Sequence, residues 1–220
     1  DPTSESFGVF CYVGDRRTGR CWSNSFQPTL RAGGQYEAVF TPGRAEFRRR
    51  DDHVETHTEI AVSTEDDLEI RRIKLTNRSN AARSLLVTGY TEVVLAPGAT
   101  DELHRAFSSL FAHTELVPDH NAVLMTRRPR STEERPPWMF CILHTAAEEV
   151  GACSYDTDRA RCIGRGGSAR HPALLDDWGA LSGTAGPVLD PCVALRRSVE
   201  LPVDRSVQLD LILGAASTRE

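Results

Sequence analysis

The sequence has almost no lysine: Lys74 stands alone among 26 basic residues, and the others are all arginine. It also lacks net positive charge, since 31 acidic residues leave −5 with the histidines neutral. That balance argues against a generally cationic nucleic-acid binder, because phosphate contacts need a basic face. No apolar run approaches the roughly 18 residues that cross a bilayer as a helix. The opening Asp1-Pro2-Thr3-Ser4-Glu5-Ser6 shows no basic segment followed by an apolar one, so no signal peptide is expected. The six cysteines contain no CxxC pair and no Cys/His spacing of a zinc site. They are expected to be free, mostly buried thiols, although their even number leaves a secreted disulfide protein open. The GxSxG elbow of serine hydrolases is absent. Gly164-Arg165-Gly166-Gly167 lacks the Lys-Ser/Thr ending that a phosphate-cradling loop needs.

What is present is period-two patterning. Val54, Thr56, Thr58, Ile60 and Val62 share one strand face, while Glu55, His57 and Glu59 share the other. Leu68 and Ile70 resume the inward set, and Arg71-Arg72 slips it by one so that Ile73 and Leu75 continue inward, which predicts a bulge. Further strands are expected at 7–13, 20–24, 35–41, 44–49, 85–95, 122–126, 138–145, 193–201 and 206–213. One segment breaks the rhythm: Leu103, Phe107, Leu110 and Phe111 fall at helical spacing, with Thr100 as a candidate cap and Asp101 and Glu102 in the first turn. These features predict an all-β chain, a large antiparallel β-sandwich with one short helix near 101–110, in a single domain over residues 1–220.

Chemistry is harder to place. The arginine clusters at 48–50, 71–72, 127–130 and 196–197 could recognise anions or sugar hydroxyls, but solvated strand faces with paired acids account for them more simply. His57 with Glu59, and His113 with Glu115, pair His and Glu on one strand face yet lack the third ligand of a catalytic metal. Glu92, Asp101, Glu102, Asp176 and Asp177 have the type required of glycosidic carboxylates but no demonstrated pairing. Trp22, Trp138, Trp178, Tyr36 and Tyr90 are the rings against which a sugar could stack. Trp22, in the polar stretch 20–25, reads as the least core-like tryptophan.

Several stretches carry a family resemblance: Trp22-Ser23-Asn24-Ser25-Phe26-Gln27-Pro28-Thr29; Arg44-Ala45-Glu46-Phe47-Arg48-Arg49-Arg50 with His57-Thr58-Glu59; Glu92-Val93-Val94-Leu95-Ala96-Pro97; His104-Arg105-Ala106-Phe107-Ser108-Ser109-Leu110-Phe111; and Leu189-Asp190-Pro191. Together they resemble the N-terminal β-sandwich of glycoside hydrolase family 94, which holds disaccharide phosphorylases and the phosphorylase-like region of cyclic β-1,2-glucan synthases, with the synthase branch closer. The resemblance implies a galactose-mutarotase-like supersandwich, excised here from a longer multidomain enzyme whose (α/α)6 barrel carries the catalytic acid and the phosphate site. No catalytic residue, metal or cofactor is therefore expected in this chain. The implied partners are a β-glucan or glucooligosaccharide, the missing (α/α)6 catalytic domain of the same chain and a second copy in a homodimer, with no nucleic acid. The implied location is cytoplasmic, the parent tethered to the inner membrane.

Three readings follow. In the first, a non-catalytic module binds carbohydrate through Trp22, Arg72, Tyr90, Glu92 and His104, with His104 and Phe107 also at an interface. In the second, the domain is structural and docks on the barrel and a partner subunit. The third, a mutarotase-like enzyme, rests on fold analogy alone. A sizeable exposed apolar patch near the helical segment would favour the second over the first.

Overall fold

The computed structural model describes residues 8–219, apart from the side chains of Thr100, Glu102 and Arg105. The expected strand start at Phe7 lies outside the described residues, and Thr100, expected to cap the helix, lies within it, the N-cap being Pro97. The strands are β1 Val9–Asp15, β2 Arg20–Ser23, β3 Gln35–Thr41, β4 Arg44–Asp51, β5 Val54–Val62, β6 Leu68–Asn77, β7 Arg83–Glu92, β8 Ala112–Val117, β9 Ala122–Arg127, β10 Trp138–His144, β11 Ser154–Asp158, β12 Pro191–Leu201 and β13 Ser206–Ala216. Helix α1 spans Gly98–Ser109 and the single turn α2 spans Arg159–Cys162. The strands form two antiparallel sheets, one ordered β11-β12-β7-β1-β2 and the other β3-β4-β5-β6-β13-β10-β9-β8. The chain is thus a large antiparallel β-sandwich.

The inner faces meet in one apolar core. Val13, Leu85, Val87, Val193, Leu195 and Val199 from the smaller sheet pack with Ile73, Leu75, Val123, Leu143, Leu209 and Leu211 from the larger. Alternation along β13 shows why: Val207, Leu209 and Leu211 are buried while Gln208 faces out. Gly89 lets the sheets close, because a Cβ there would stand 2.7 Å from Leu211 Cδ1. Asp15 and Arg83 form a buried ion pair of 2.6 Å at one end of this core.

The outer face of the smaller sheet is not left to solvent. The connection between β11 and β12 folds back over it and builds a second cluster of Tyr12, Tyr90, Cys162, Ile163, Leu174, Cys192 and Ala194. Trp178 lies on Gly14, where a Cβ would meet its ring at 2.7 Å. The buried Arg196 side chain fastens this roof. Its Nε donates to Thr88 Oγ1 at 3.0 Å, one terminal nitrogen donates to the Asp177 and Gly179 carbonyls at 2.8 and 3.0 Å, and the other donates to the Leu174 carbonyl. Tyr12 adds a hydrogen bond to the Ala169 carbonyl at 2.8 Å.

Three expectations change. No bulge interrupts β6: it keeps continuous register with both β5 and β13. Leu68 and Ile70 lie on the outer face instead, in line with Ile212 and Ile142, and Arg71 takes the inner position, where it donates to the Val9 carbonyl. Arg196 and Arg197 are buried (2% and 8% exposed) and hold backbone carbonyls, so that cluster is neither a solvated face nor an anion site. The helix begins at Gly98, earlier than expected, behind Pro97. The cysteines match expectation: all six are free and four are buried. Burial pushes the thiols of Cys11 and Cys141 up to about 12, which leaves them unreactive at neutral pH.

Replacing Arg196 with Met removes donors from buried carbonyls, and each lost charged hydrogen bond is worth about 1.5–3 kcal/mol. Urea unfolding is expected to show a loss of about 3 kcal/mol or more, with amide exchange accelerated first at 173–179. Arg196→Lys should not restore stability, since an ammonium cannot span these acceptors as the guanidinium fork does.

Candidate functional site

The residues expected to hold sugar fall in different layers. Trp22, opposite Val13 in register, sits in the inter-sheet core at 3% exposure, with its indole Nε1 lacking a partner. It is the most enclosed of the three tryptophans, contrary to its polar surroundings in sequence. Tyr90 is enclosed in the second cluster, and its hydroxyl donates to Glu92 at 3.1 Å. Glu92 also accepts from Arg159 Nε at 2.9 Å. Burial and the neighbouring Cys192 and Glu92 push the Tyr90 phenol well above its ordinary pKa. Arg72 lies on the far face of the larger sheet, paired with Asp210 at 3.2 Å. His104 is exposed on α1. Only Tyr90 and Glu92 are brought together, and they are under the roof.

The outer face of the larger sheet is a charge mosaic. In register across it run Glu37, Arg48, His57 and Lys74, beside Glu46, Glu59, Arg72 and Asp210. An open groove of about 490 Å³ crosses this region between Gln35 and Arg78. Glu46, His57 and Glu59 bring ligand atoms within 4.8 Å of one another. The donor set is neutralised already: Arg44 bonds Glu46 at 2.6 Å and Glu59 at 3.1 Å, and Arg48 bonds Glu46 at 3.0 Å. A cation would have to displace both guanidiniums. Glu115, the acid of the other His/Glu pair, is bonded by Arg219.

The apolar counterpart lies around α1. This helix is inverted with respect to the protein: Ser108 and Ser109 are buried, with Ser108 Oγ unpartnered, while Leu103, Phe107 and Leu110 are 74%, 56% and 51% exposed. After a bend at His104, Phe107 and Leu110 stand i and i+3 on one face, with Leu103 just before it, and Phe107 packs edge-on to Phe111 with ring centroids 5.1 Å apart. His104 departs from helical geometry at φ −148°, ψ 55°, so the stripe bends at that point. Beside the helix start, Val94, Leu95, Pro97, Pro136, Pro137 and Met139 line a groove of about 410 Å³ that Ala215 of β13 also reaches. Arg127 braces its wall, donating to the Leu95 carbonyl at 3.0 Å and pairing with Glu134. Helical spacing announced this stripe, but it does not say which way a stripe faces. Leu103 and Leu110 were therefore not legible as surface residues.

The family model for the glycosyl hydrolase 94 supersandwich domain matches residues 1–220. Among curated relatives, the cyclic beta-(1,2)-glucan synthase NdvB of Rhizobium meliloti (strain 1021) is 32% identical over 223 residues, covering 100% of this chain and 8% of that relative. The N,N'-diacetylchitobiose phosphorylase of Vibrio furnissii is 24% identical, over 96% of this chain and 26% of its own. A solved bacterial glucoamylase complexed with acarbose shares the fold at TM-score 0.50 and 6% identity, over 96% of this chain and 27% of its own. The chain thus spans a small part of the length of its curated relatives. Among the described residues, no helix is long and apolar enough to cross a membrane.

Among the described residues, three carboxylates are held below the ordinary value of 4.5: Glu46 by the His57 hydrogen bond with Arg44 and Arg48, Glu115 by Arg219, and Glu134 by the Arg130 backbone N–H with Arg127. A depressed carboxyl contributes stability that is complete above its unfolded value and is lost as pH falls through the folded one. Urea midpoints are expected to hold from neutrality down to about pH 4.5 and then to drop. Glu46→Gln should make that drop shallower; an unchanged acid limb would contradict this assignment.

Proposed function

This chain belongs to the glycosyl hydrolase 94 family as its supersandwich domain, and from that membership we propose that it is a non-catalytic accessory module that docks onto the remainder of a longer glycan-processing chain. The observation that carries the reading is the inverted helix. A lone surface leucine needs no explanation, but a bent stripe of Leu103, Phe107 and Leu110, set beside an apolar groove, is the mark of a surface meant to be covered. Phe107 belongs to this stripe and the exposed His104 stands at its bend, which supports the interface reading of both. The short identity-bearing spans of the relatives, 8% and 26% of their lengths, support a partner that is further chain.

A sugar cradle is the weaker reading. Carbohydrate recognition needs an accessible ring with polar groups converging beside it; Trp22 and Tyr90 are 3% and 1% exposed, and the exposed Tyr36 lies against Phe26, its hydroxyl accepting from the Phe26 N–H at 3.4 Å. Glu92 is already engaged by Tyr90 and Arg159. The accessory role is therefore one of contact between domains, and the glycan belongs to the catalytic part.

The gene's downstream reading frame, produced as a separate polypeptide, is expected to co-purify with this domain. A Leu103→Ser/Phe107→Ser variant should bind at least about tenfold more weakly, since burying each side chain is worth about 1.5–3 kcal/mol. The variant should melt as the parent domain does, because both side chains are exposed. Titration with β-1,2- and β-1,4-glucooligosaccharides should give no saturable heat. Equal binding by the variant, or saturable sugar binding by the isolated domain, would overturn the reading.

A further inference from the structure

Two of the six thiols meet where the roof joins the smaller sheet. β11 and β12 pair antiparallel with Asp158 opposite Pro191. From Asp158 the chain turns at once into α2: the Arg159 N–H donates to the Asp190 carbonyl at 3.0 Å, and the Asp158 carboxylate caps the turn by accepting from the Ala160 N–H at 2.9 Å. Cys162 ends that turn and Cys192 follows Pro191, so the register that opens β12 also brings these two side chains together. On β12, Cys192, Ala194 and Arg196 share the face beneath the roof. Cys162 and Cys192 are 1% and 0% exposed, both belong to the second cluster, and their thiols share a hydrogen bond.

The other four thiols are placed differently. Cys11 and Cys141 lie in the inter-sheet core with Cys153 packed against it, on the opposite side of the smaller sheet, and the Cys153 thiol donates to the Ser154 carbonyl at 3.7 Å. Cys21 stands in the edge strand β2. The 162–192 contact, by contrast, spans the whole roof. Everything between those two residues is the connection that covers the smaller sheet, with Arg196 holding the carbonyls of Leu174, Asp177 and Gly179. A covalent bond there would close that connection into a loop at its two feet.

We propose that Cys162 and Cys192 are a peroxide-reactive dithiol whose disulfide locks the roof onto the smaller sheet. The reaction is a two-electron oxidation of the pair by hydrogen peroxide. One thiolate attacks a peroxide oxygen, the O–O bond breaks, and hydroxide leaves with a sulfenic acid formed; the second sulfur then attacks the first and expels the sulfenic oxygen as hydroxide. The two thiol protons convert both hydroxides to water, so two thiols and one peroxide give one disulfide and two waters. Peroxide is the oxidant that fits, because a bulky disulfide reagent would have to enter a closed apolar cluster, whereas peroxide is little larger than water. The closed roof protects the reduced pair. Burial, the neighbouring Cys162 thiol and the Asp156 and Glu92 carboxylates keep the Cys192 proton in place, and the thiolate is the reacting form. Reaction therefore waits on local opening of the 159–190 connection, and the bridge then removes that opening. Among the described residues, α1 contributes nothing to this cluster, so closure of the bridge is independent of docking at that helix.

The 220-residue chain, held in excess hydrogen peroxide and then alkylated, is expected to yield a cross-linked peptide pair carrying Cys162 and Cys192. Cys162→Ala and Cys192→Ala should each abolish it. Arg196→Met, by freeing the roof, should speed cross-linking at least about tenfold, as should urea below the unfolding midpoint for the parent chain. The bridged chain should unfold at a higher urea midpoint, because closing the loop restricts the unfolded chain, and dithiothreitol should return the midpoint to its starting value. No 162–192 bridge even in urea, a bridge between Cys141 and Cys153 in its place, rates indifferent to both Arg196→Met and urea, or a bridged chain with an unchanged midpoint would each overturn the proposal.

Discussion

The Arg196 guanidinium decides which faces of this molecule are open. Standing on the outer face of the smaller sheet, it gathers Thr88 Oγ1 and the carbonyls of Leu174, Asp177 and Gly179. Burial lowers its proton affinity, partly offset by nearby Asp177. A buried cation is costly unless its donors are met, and here the connection between β11 and β12 supplies the acceptors. With that connection in place, Tyr12, Tyr90 and Cys192 become a second core. The face that would offer rings to a ligand is consumed in holding the fold, and the surfaces left over lie at the two ends of the larger sheet.

The scarcity of lysine follows from the same requirement. Arg49, Arg83, Arg127, Arg196 and Arg197 are all buried, and each engages two or more partners in different directions. Arg49, for example, spans Asp51 and the carbonyls of Ser25 and Arg31, tying the 25–31 segment to β4. Only a planar fork of donors reaches that many acceptors from one stem. The arginines on the outer face of the larger sheet, such as Arg44, Arg48 and Arg72, form exposed pairs that contribute little individually. Lys74, in that mosaic, occupies a position where one strongly hydrated charge suffices.

Much of this was legible in sequence, and the exceptions have causes. Strict alternation gave β5 at its observed bounds and the start of β13, which runs three residues beyond the expected Leu213 to Ala216, and the Gln35–Thr41 strand has its expected bounds. The strands Ala112–Val117 and Ser154–Asp158 were missed because AHTELV and SYDTD carry too few apolar residues to show a period. Their polar groups are used in edge contacts, as when Thr114 and Thr157 share a hydroxyl hydrogen bond at 2.9 Å. Trp22 was misjudged because its neighbours are polar, yet a strand needs only every second residue to be apolar, and its register opposite Val13 sends it inward. Ile70 was placed inward because an apolar residue in a strand is expected to be buried. In fact Arg71 takes the core side, and Ile70 joins Ile212 and Ile142 outside.

The candidate site was the least legible part, and its direction explains why. Period fixes which residues share a stripe, but the sign of the stripe depends on what the rest of the chain can cover. The sandwich core is filled by two sheets and the second cluster by the α2 connection, so α1 has no remaining cavity to fill and turns its leucines and Phe107 outward. The same exhaustion of partners leaves Phe40 beyond the reach of the smaller sheet: five strands cannot blanket eight, and the excess falls at the larger sheet's margin. Exposure at α1 and at β3 is therefore one consequence of unequal sheets, expressed at opposite edges. A domain built this way presents two separated apolar surfaces, so that contact at one leaves the other free. That arrangement suits a module that can meet two neighbours at once.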